Sequence, residues 1–164
     1  MSGCCQLNVV FMSCREKSVT FAETLPIMAD KRKLNISLVL RIVVSLVYLQ
    51  TLYFKFSAHP DSVHIFSTLG LEPFGRIGIG VLELITAILL LLPSSYLYGI
   101  VLSLGIISGA LASHLGPLGI EVKGDGGKVF YLALVVFIAS LLLAIMHREQ
   151  IKSKIQTILD RSPR

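Results

Sequence analysis

Charge is scarce in this sequence of 164 residues, and tryptophan is absent. Asp, Glu, Lys and Arg together account for only 15% of the chain, whereas 54% of it is hydrophobic. A soluble domain of this length would carry far more charge. The composition therefore argues against an ordinary soluble fold and favours a membrane protein before any motif is considered.

Cysteine is also scarce, and its three positions, Cys4, Cys5 and Cys14, all precede the first long apolar segment. The apolar region therefore cannot perform thiol–disulfide chemistry of its own, which excludes the quinone-linked dithiol mechanism of some other four-helix membrane enzymes. Two adjacent cysteines do not have the spacing of a redox or zinc motif. We interpret the three as incidental residues of a loose N-terminal segment.

Metal and cofactor motifs are missing as well. The four histidines form no HxxxH or HxxE pattern, and His59 and His64, five residues apart, do not share one helical face. We therefore predict no metal site. We interpret His147 as a residue at the membrane interface, on the opposite side of the membrane from His59 and His64. The chain has no flavin, haem or iron–sulfur signature, so any electron transfer would need a bound quinone or a partner protein.

The sequence does contain four long apolar segments. Each has the roughly 17 to 25 residues that a helix needs to cross about 30 Å of hydrocarbon. They are residues 34–54, 74–92, 96–113 and 129–146. We predict an all-α integral membrane protein in which residues 34–147 form one four-helix transmembrane bundle.

Basic residues flank this bundle and predict its orientation. The net charge of +5 first suggests nucleic-acid binding, but most cations lie before the first segment or after the last. Besides Arg15 and Lys17, they are Lys31, Arg32, Lys33, Arg148, Lys152, Lys154, Arg161 and Arg164. By the positive-inside rule both termini are cytoplasmic, which an even number of spans allows. We expect the lipid bilayer as a partner and no nucleic acid.

The segments outside the spans yield three further predictions. Residues 1–29 do not resemble a signal peptide, because their longest apolar run is too short. Since Met28 precedes the basic cluster, we interpret the residues before it as a disordered tail or upstream translation, and residues 1–33 as an N-terminal extension with a basic end. In the first outer loop, Pro60 and Gly70 bound a short helix predicted to lie at the membrane surface. The glycine-rich second loop should turn, and residues 148–164 should form a basic amphipathic helix.

Polar residues within the spans define the candidate site. Arg41, Ser45, Tyr48, Thr51 and Lys55 recur at helical spacing and predict a stripe that faces the bundle interior, because charge exposed to lipid costs several kcal/mol. Glu83 shares a face with small residues and should also point inward. Counting depth from the ends of the segments places Glu83 within reach of Arg41, with Lys55 out of reach at about 14 Å along the axis. Glu83 is then either a neutral hydrogen-bond donor or one half of a buried ion pair with Arg41.

These residues allow two interpretations, which the sequence leaves open. They either hold the helices in register, or they bind a ligand or handle protons, the usual role of ionisable groups inside a membrane. A GxxxG pair in the third span, Gly105 and Gly109, predicts tight helix packing.

The order and spacing of these pieces resemble the DoxX and DoxX-like family of small bacterial membrane proteins. The resemblance covers about residues 34–147 and rests on five stretches and the four-span length. The stretches are "LVLRIVVSLVYL", "KF" at Lys55-Phe56, "HPDSVHIFSTLG", "GIGVLELITAILLLLP" and "ASHLGPLGIEVKGDGG". In place of the glycines often found in the family's first span, this chain has Ser45 and bulky neighbours.

The resemblance implies a four-helix membrane bundle in the bacterial cytoplasmic membrane. Named members of the family are membrane subunits of quinone-linked sulfur oxidation or associate with thiol and oxidative-stress redox complexes. We therefore expect a membrane component of a redox system, for example a subunit of a quinone-linked oxidoreductase.

The corresponding site is an outer-half cavity, lined by Tyr48, Lys55, Glu83 and His114, that accepts a quinone or a similar small molecule while Arg41 holds the charge of Glu83. The main alternative is a non-catalytic membrane partner or assembly subunit in which the polar stripe is architectural. A small-solute transporter is disfavoured by the short chain and by the absence of paired broken helices. A redox partner protein and a homo-oligomer both remain open.

Overall fold

The computed structural model of the protein describes the backbone of residues 21–161 and the side chains of residues 32–160. Over this range the chain is helical and contains no strand. Its elements are α1 (Phe21–Phe56), α2 (Pro60–Thr68), α3 (Phe74–Leu91), α4 (Tyr96–Ser113), a π-helical turn (His114–Leu118), α5 (Lys128–Met146) and α6 (Arg148–Arg161).

Four of these helical stretches are long and apolar enough to cross a membrane. They are Arg32–Phe56, Phe74–Leu91, Tyr96–Leu118 and Lys128–Met146. The prediction of an all-α chain with four apolar spans is thereby confirmed, and the chain is a multi-pass membrane protein by this criterion. The third stretch is longer than predicted because the π-helical turn extends α4.

The four long helices pack as a ring. Helix α1 packs on α3 and α5, and α4 packs on the same two helices, so that α1 and α4 lie on a diagonal. The core between them contains Val44, Tyr48, Leu90 and Ile100. The close approach of α3 and α4 depends on Gly99, because a Cβ at that position would lie 2.8 Å from the backbone nitrogen of Leu90.

The bundle has two distinct ends. We use "turn end" for the end that carries the short α3–α4 connection, residues 92–95, together with α6. We use "loop end" for the opposite end, which carries α2 and residues 114–127. Helix α2 begins at Pro60 and is followed by Gly70 in a left-handed conformation (φ 69°), so the predicted short helix is confirmed, while its position at a membrane surface stays a prediction.

The C-terminal segment forms the predicted helix, α6. Its apolar residue Ile151 is half-buried against the bundle, whereas Ile155, Ile158 and Leu159 are exposed. At the other terminus α1 begins at Phe21, ahead of the predicted span and of Met28. The three cysteines lie outside the described residues, and the start at Met28 stays a prediction.

Asp125 organises the second loop, which turns as predicted after the π-helical residues. Its carboxylate accepts backbone N–H bonds from Val122 (2.9 Å), Gly127 (2.8 Å) and Val129 (3.1 Å), and so holds the start of α5. Burial raises the pKa of Asp125, but these three bonds and the nearby His114 lower it more. The pKa of Asp125 therefore lies below its usual value.

Candidate functional site

The polar stripe of α1 faces the bundle interior, as predicted. Arg41, Ser45 and Tyr48 are buried, and Thr51 and Lys55 are half-buried. Each of these five side chains forms a hydrogen bond with a residue on another helix. Every polar side chain of the stripe therefore has a partner.

Glu83 of α3 pairs with Lys55 of α1. The Lys55 ammonium lies 2.8 Å from one carboxylate oxygen of Glu83 and 3.0 Å from the other, and the Thr51 hydroxyl lies 3.0 Å from the carboxylate. The two charged side chains are only 13% and 8% exposed. This is a buried ion pair between two spanning helices, of the kind that is strongly destabilised when one partner is removed.

The predicted Arg41–Glu83 pair is wrong. Arg41 instead donates from Nε to the carbonyl of Leu90 (2.6 Å) and from Nη2 towards that of Leu92 (3.5 Å), and its guanidinium lies 4.3 Å from the centre of the Tyr96 ring. The depth count assumed that the first two spans end level at the turn end. Arg41 is level with the end of α3, so the predicted first span, which starts at residue 34, begins about 10 Å beyond α3 there, and Lys55 reaches Glu83.

A second buried cation, Arg76, was not recognised from the sequence as part of the site. Its Nε donates to both carboxylate oxygens of Glu72, at 2.7 and 3.0 Å, and its Nη1 donates to the backbone carbonyl of Lys55. Arg76 therefore satisfies a carbonyl in the last turn of α1, which has no partner within its own helix. The i, i+4 spacing of Glu72 and Arg76 was the available signal.

Tyr48 joins three helices in the middle of the bundle. Its hydroxyl lies 2.9 Å from the hydroxyl of Ser103 on α4, which lies 2.7 Å from the hydroxyl of Ser140 on α5. All three residues are at most 2% exposed. Tyr48 is not on the wall of the cavity described next, and its role at a ligand site stays a prediction.

A cavity of about 660 Å³ occupies the loop end of the bundle. Its walls come from α1 to α5 and are mainly apolar, and Lys55, Glu83 and His114 all lie on them. The structure thus brings together three of the four predicted lining residues. Volume and wall composition fall within the range of small-molecule sites, which combine apolar walls with a few polar groups.

His114 is buried at the wall of this cavity, with 4% of its surface exposed. Its Nδ1 lies 2.9 Å from the carbonyl oxygen of Gly119, and its ring meets the edge of Phe130 at 5.8 Å between centres. A carbonyl can only accept, so we assign the proton to Nδ1. In the neutral ring Nε2 is then an acceptor.

At the turn end, a second polar cluster surrounds Arg41. The Nε2 atom of His147 lies 2.7 Å from the Ser37 hydroxyl, and the His147 ring packs edge-on against the Tyr96 ring. The Tyr96 hydroxyl donates a hydrogen bond of 2.8 Å to the side-chain oxygen of Gln150 on α6. These contacts join α1, α4 and α6. The interfacial role predicted for His147 stays a prediction.

The GxxxG pair does not pack against another helix of the bundle. Gly105 and Gly109 are exposed, and a Cβ on either would meet nothing within 4 Å in the described part of the chain. The prediction of tight packing within the chain is therefore wrong. Both glycines border the loop-end cavity instead.

Within residues 32–160, no three His, Cys, Asp or Glu side chains are grouped so that they could hold a metal ion. Comparison with models of protein families, with curated proteins and with solved structures gave no match. The geometry itself defines a helical multi-pass membrane protein with a buried ion pair at the wall of a cavity.

Proposed function

We propose that the protein is a DoxX-like, redox-associated component of a bacterial cytoplasmic membrane, and that its loop-end cavity binds a quinone or a similar small molecule. The observation that carries this proposal is the Lys55–Glu83 pair, which lies on the wall of the cavity rather than within packed protein. A buried ion pair adds little stability compared with packed apolar residues, so its presence inside an apolar bundle favours a functional role. Binding a polar headgroup is one such role.

A quinone matches the chemistry of this cavity. Its ring suits the apolar walls, and its carbonyl oxygens can accept a hydrogen bond from the Lys55 ammonium. Because the sequence has no flavin, haem or iron–sulfur signature, the electrons would come from a partner protein or from a second redox molecule. In this proposal the chain binds and orients the quinone, and Glu83 balances the charge of Lys55.

The test is quinone binding by the protein in lipid nanodiscs, measured for the double variant Lys55→Met/Glu83→Leu. The matched control is Glu72→Leu/Arg76→Met, which removes an ion pair at the same end that is not on the cavity wall. We expect the first variant to lose binding and the control to retain it. Unchanged quinone affinity in a folded Lys55→Met/Glu83→Leu variant would refute the proposed site.

A non-catalytic membrane partner or assembly subunit is the second candidate function. It is favoured by the Tyr48–Ser103–Ser140 contacts, whose hydroxyls pair with one another without any ligand. Under this proposal the Lys55→Met/Glu83→Leu variant is stable and still complements a deletion of the gene. Co-purification in mild detergent, followed by mass spectrometry of lipids and proteins, distinguishes a quinone binder from a partner subunit or a homo-oligomer.

The orientation that accompanies this proposal has both termini in the cytoplasm, with α2 at the outer surface. The argument is the concentration of Lys and Arg ahead of the first span and after the last. In a cysteine-free background, Ser67→Cys and Lys123→Cys should react with an impermeant thiol reagent in intact spheroplasts, and Lys154→Cys should not. Labelling of position 154 alone would reverse the orientation.

A further inference from the structure

The wall of the loop-end cavity includes residues of α4 and α5 that the rest of the described chain leaves uncovered. Four residues on its wall are exposed positions of these two spanning helices: Gly105, Gly109, Val129 and Leu132. Gly105 lies nine residues beyond Tyr96, at the start of α4, or about 13 Å along the helix axis. At that depth the surface of the bundle faces hydrocarbon. These uncovered positions favour an opening of the cavity towards the bilayer, between α4 and α5.

The charges at the cavity favour an uncharged headgroup. Lys55 and Glu83 neutralise each other, and the other two charged residues of the wall, Asp61 and Lys128, are exposed. An ionic headgroup placed at the Lys55–Glu83 pair would therefore introduce a buried charge without a counter-ion. The Lys55 ammonium has three N–H donors, and Glu83 engages at most two of them, through a hydrogen bond to Oε1 at 3.0 Å and an ion-pair contact with Oε2 at 2.8 Å. Among the groups of residues 32–160, no other acceptor takes the remaining donor, which is therefore available to a ligand oxygen.

His114 supplies the complementary acceptor. Its Nε2 has no hydrogen-bond partner among the side chains and backbone described, although the residue is more than nine-tenths buried. No fully buried polar side-chain atom in the same residues lacks a partner, so Nε2 retains access to the cavity whose wall it forms. A ligand O–H is the group that would pair with it.

We propose that this cavity takes an uncharged amphiphile from the bilayer, with an oxygen acceptor at Lys55, a hydroxyl donor at His114, and an apolar tail that leaves sideways over Gly105 and Gly109. The inference rests on the function proposed for the same site, and it narrows the ligand to the hydroxyl-bearing class, such as a hydroquinone. It also assigns the side opening, rather than the aqueous face, as the route of entry.

The first experiment tests the route of the tail. Binding of a tail-less hydroquinone and of the same headgroup with a decyl chain is measured in nanodiscs for Gly105→Leu, Gly109→Leu and Gly78→Leu. Gly78 is the matched control, because it is an exposed glycine of α3 with nothing described within 4 Å and is not on the cavity wall. We expect the leucines at 105 and 109 to weaken binding of the decyl compound about tenfold or more, the loss that corresponds to about 1.4 kcal/mol. Tail-less binding, and Gly78→Leu, should be unaffected.

The second experiment tests the headgroup. His114→Phe should weaken binding of the decyl hydroquinone and leave the decyl quinone unchanged, because the quinone has no O–H to donate. Decyl sulfate and decyltrimethylammonium should fail to compete.

The outcomes separate this inference from the proposed function. Equal effects of Gly109→Leu on both chain lengths, or effective competition by a charged decyl compound, would overturn the inference and leave quinone binding intact. If no quinone or hydroquinone binds but decanoylglycerol does, and Gly109→Leu blocks it, the side route holds and the quinone function fails. Absence of binding by every probe would refute both.

Discussion

The two ends of the bundle hold their buried cations in different ways. At the turn end, Arg41 lies among the carbonyls of Leu90 and Leu92 and the face of Tyr96, and no carboxylate of the described residues forms an ion pair with it. At the loop end, Lys55 pairs with Glu83 beside a cavity. The first arrangement completes a helix end, whereas the second places a balanced pair of charges where a ligand can reach it.

The arginines form a reciprocal arrangement that explains this difference. Arg41 of α1 donates to carbonyls at the C-terminal end of α3, and Arg76 of α3 donates to a carbonyl at the C-terminal end of α1. Helix C-termini carry unpaired carbonyls and partial negative charge, so they attract cations. Helix ends thus account for both arginines. They do not account for Glu83, which lies within α3 and whose partner is a lysine.

The largest expected effect is the loss of one partner of the loop-end pair. Glu83→Ala leaves the Lys55 ammonium without a counter-ion and should lower the free energy of unfolding by about 3 to 5 kcal/mol, whereas Lys55→Met/Glu83→Leu should recover much of that loss. Detergent unfolding curves of the three proteins measure this. Equal stability of Glu83→Ala and wild type would show that the pair contributes no more than a surface salt bridge.

A smaller effect is expected at the turn end, which tests the comparison directly. Arg41→Met leaves carbonyls but no unpaired charge, so it should cost about 1 to 3 kcal/mol. Quinone affinity should be unchanged, since Arg41 is not on the cavity wall. A loss of stability greater than that of Glu83→Ala, or a loss of quinone binding, would break the distinction between the two ends.

Tyr48→Phe tests the region between the ends. The substitution removes one hydroxyl from the Tyr48–Ser103–Ser140 contacts but leaves Ser103 bonded to Ser140, so we expect a cost of about 1 kcal/mol. Ser140→Ala, which removes the other end of the chain of hydroxyls, is the companion variant. Loss of ligand binding in a stable Tyr48→Phe variant would restore Tyr48 to the ligand site.

The smallest effect concerns pH at the loop end. Because the pKa of Asp125 is lower in the folded protein than its usual value of 3.8, its contribution is complete above that pH and is lost as the pH falls through the lowered pKa. Asp125→Asn should therefore flatten the decrease in melting temperature below about pH 4 while changing little near neutrality. An identical pH profile for variant and wild type would contradict the assignment.

The sequence was sufficient for the spans but not for their relative heights. Hydrophobic length identifies a span, and helical spacing correctly placed Arg41, Tyr48 and Lys55 on one inward face. The partner of Glu83 depends on how far α1 extends beyond α3, which no apolar boundary records. The GxxxG motif was similarly insufficient. The spacing of Gly105 and Gly109 shows that one face of the helix carries small residues, but it does not show what packs on that face.

The polar stripe of α1 also constrains how the protein enters the membrane during synthesis. Its partners on α3 and α4 all follow it in the sequence, and Glu83 is made roughly 27 residues after α1 ends. At about 5 to 20 residues per second this interval is about 1 to 5 s. During it, Arg41 and Lys55 have no partner from the later helices. Alone in lipid, α1 would carry two uncompensated cations. We therefore expect α1 to remain at the insertion machinery until α3 arrives, and a ribosome stalled before Glu83 is made should leave α1 extractable by alkaline carbonate.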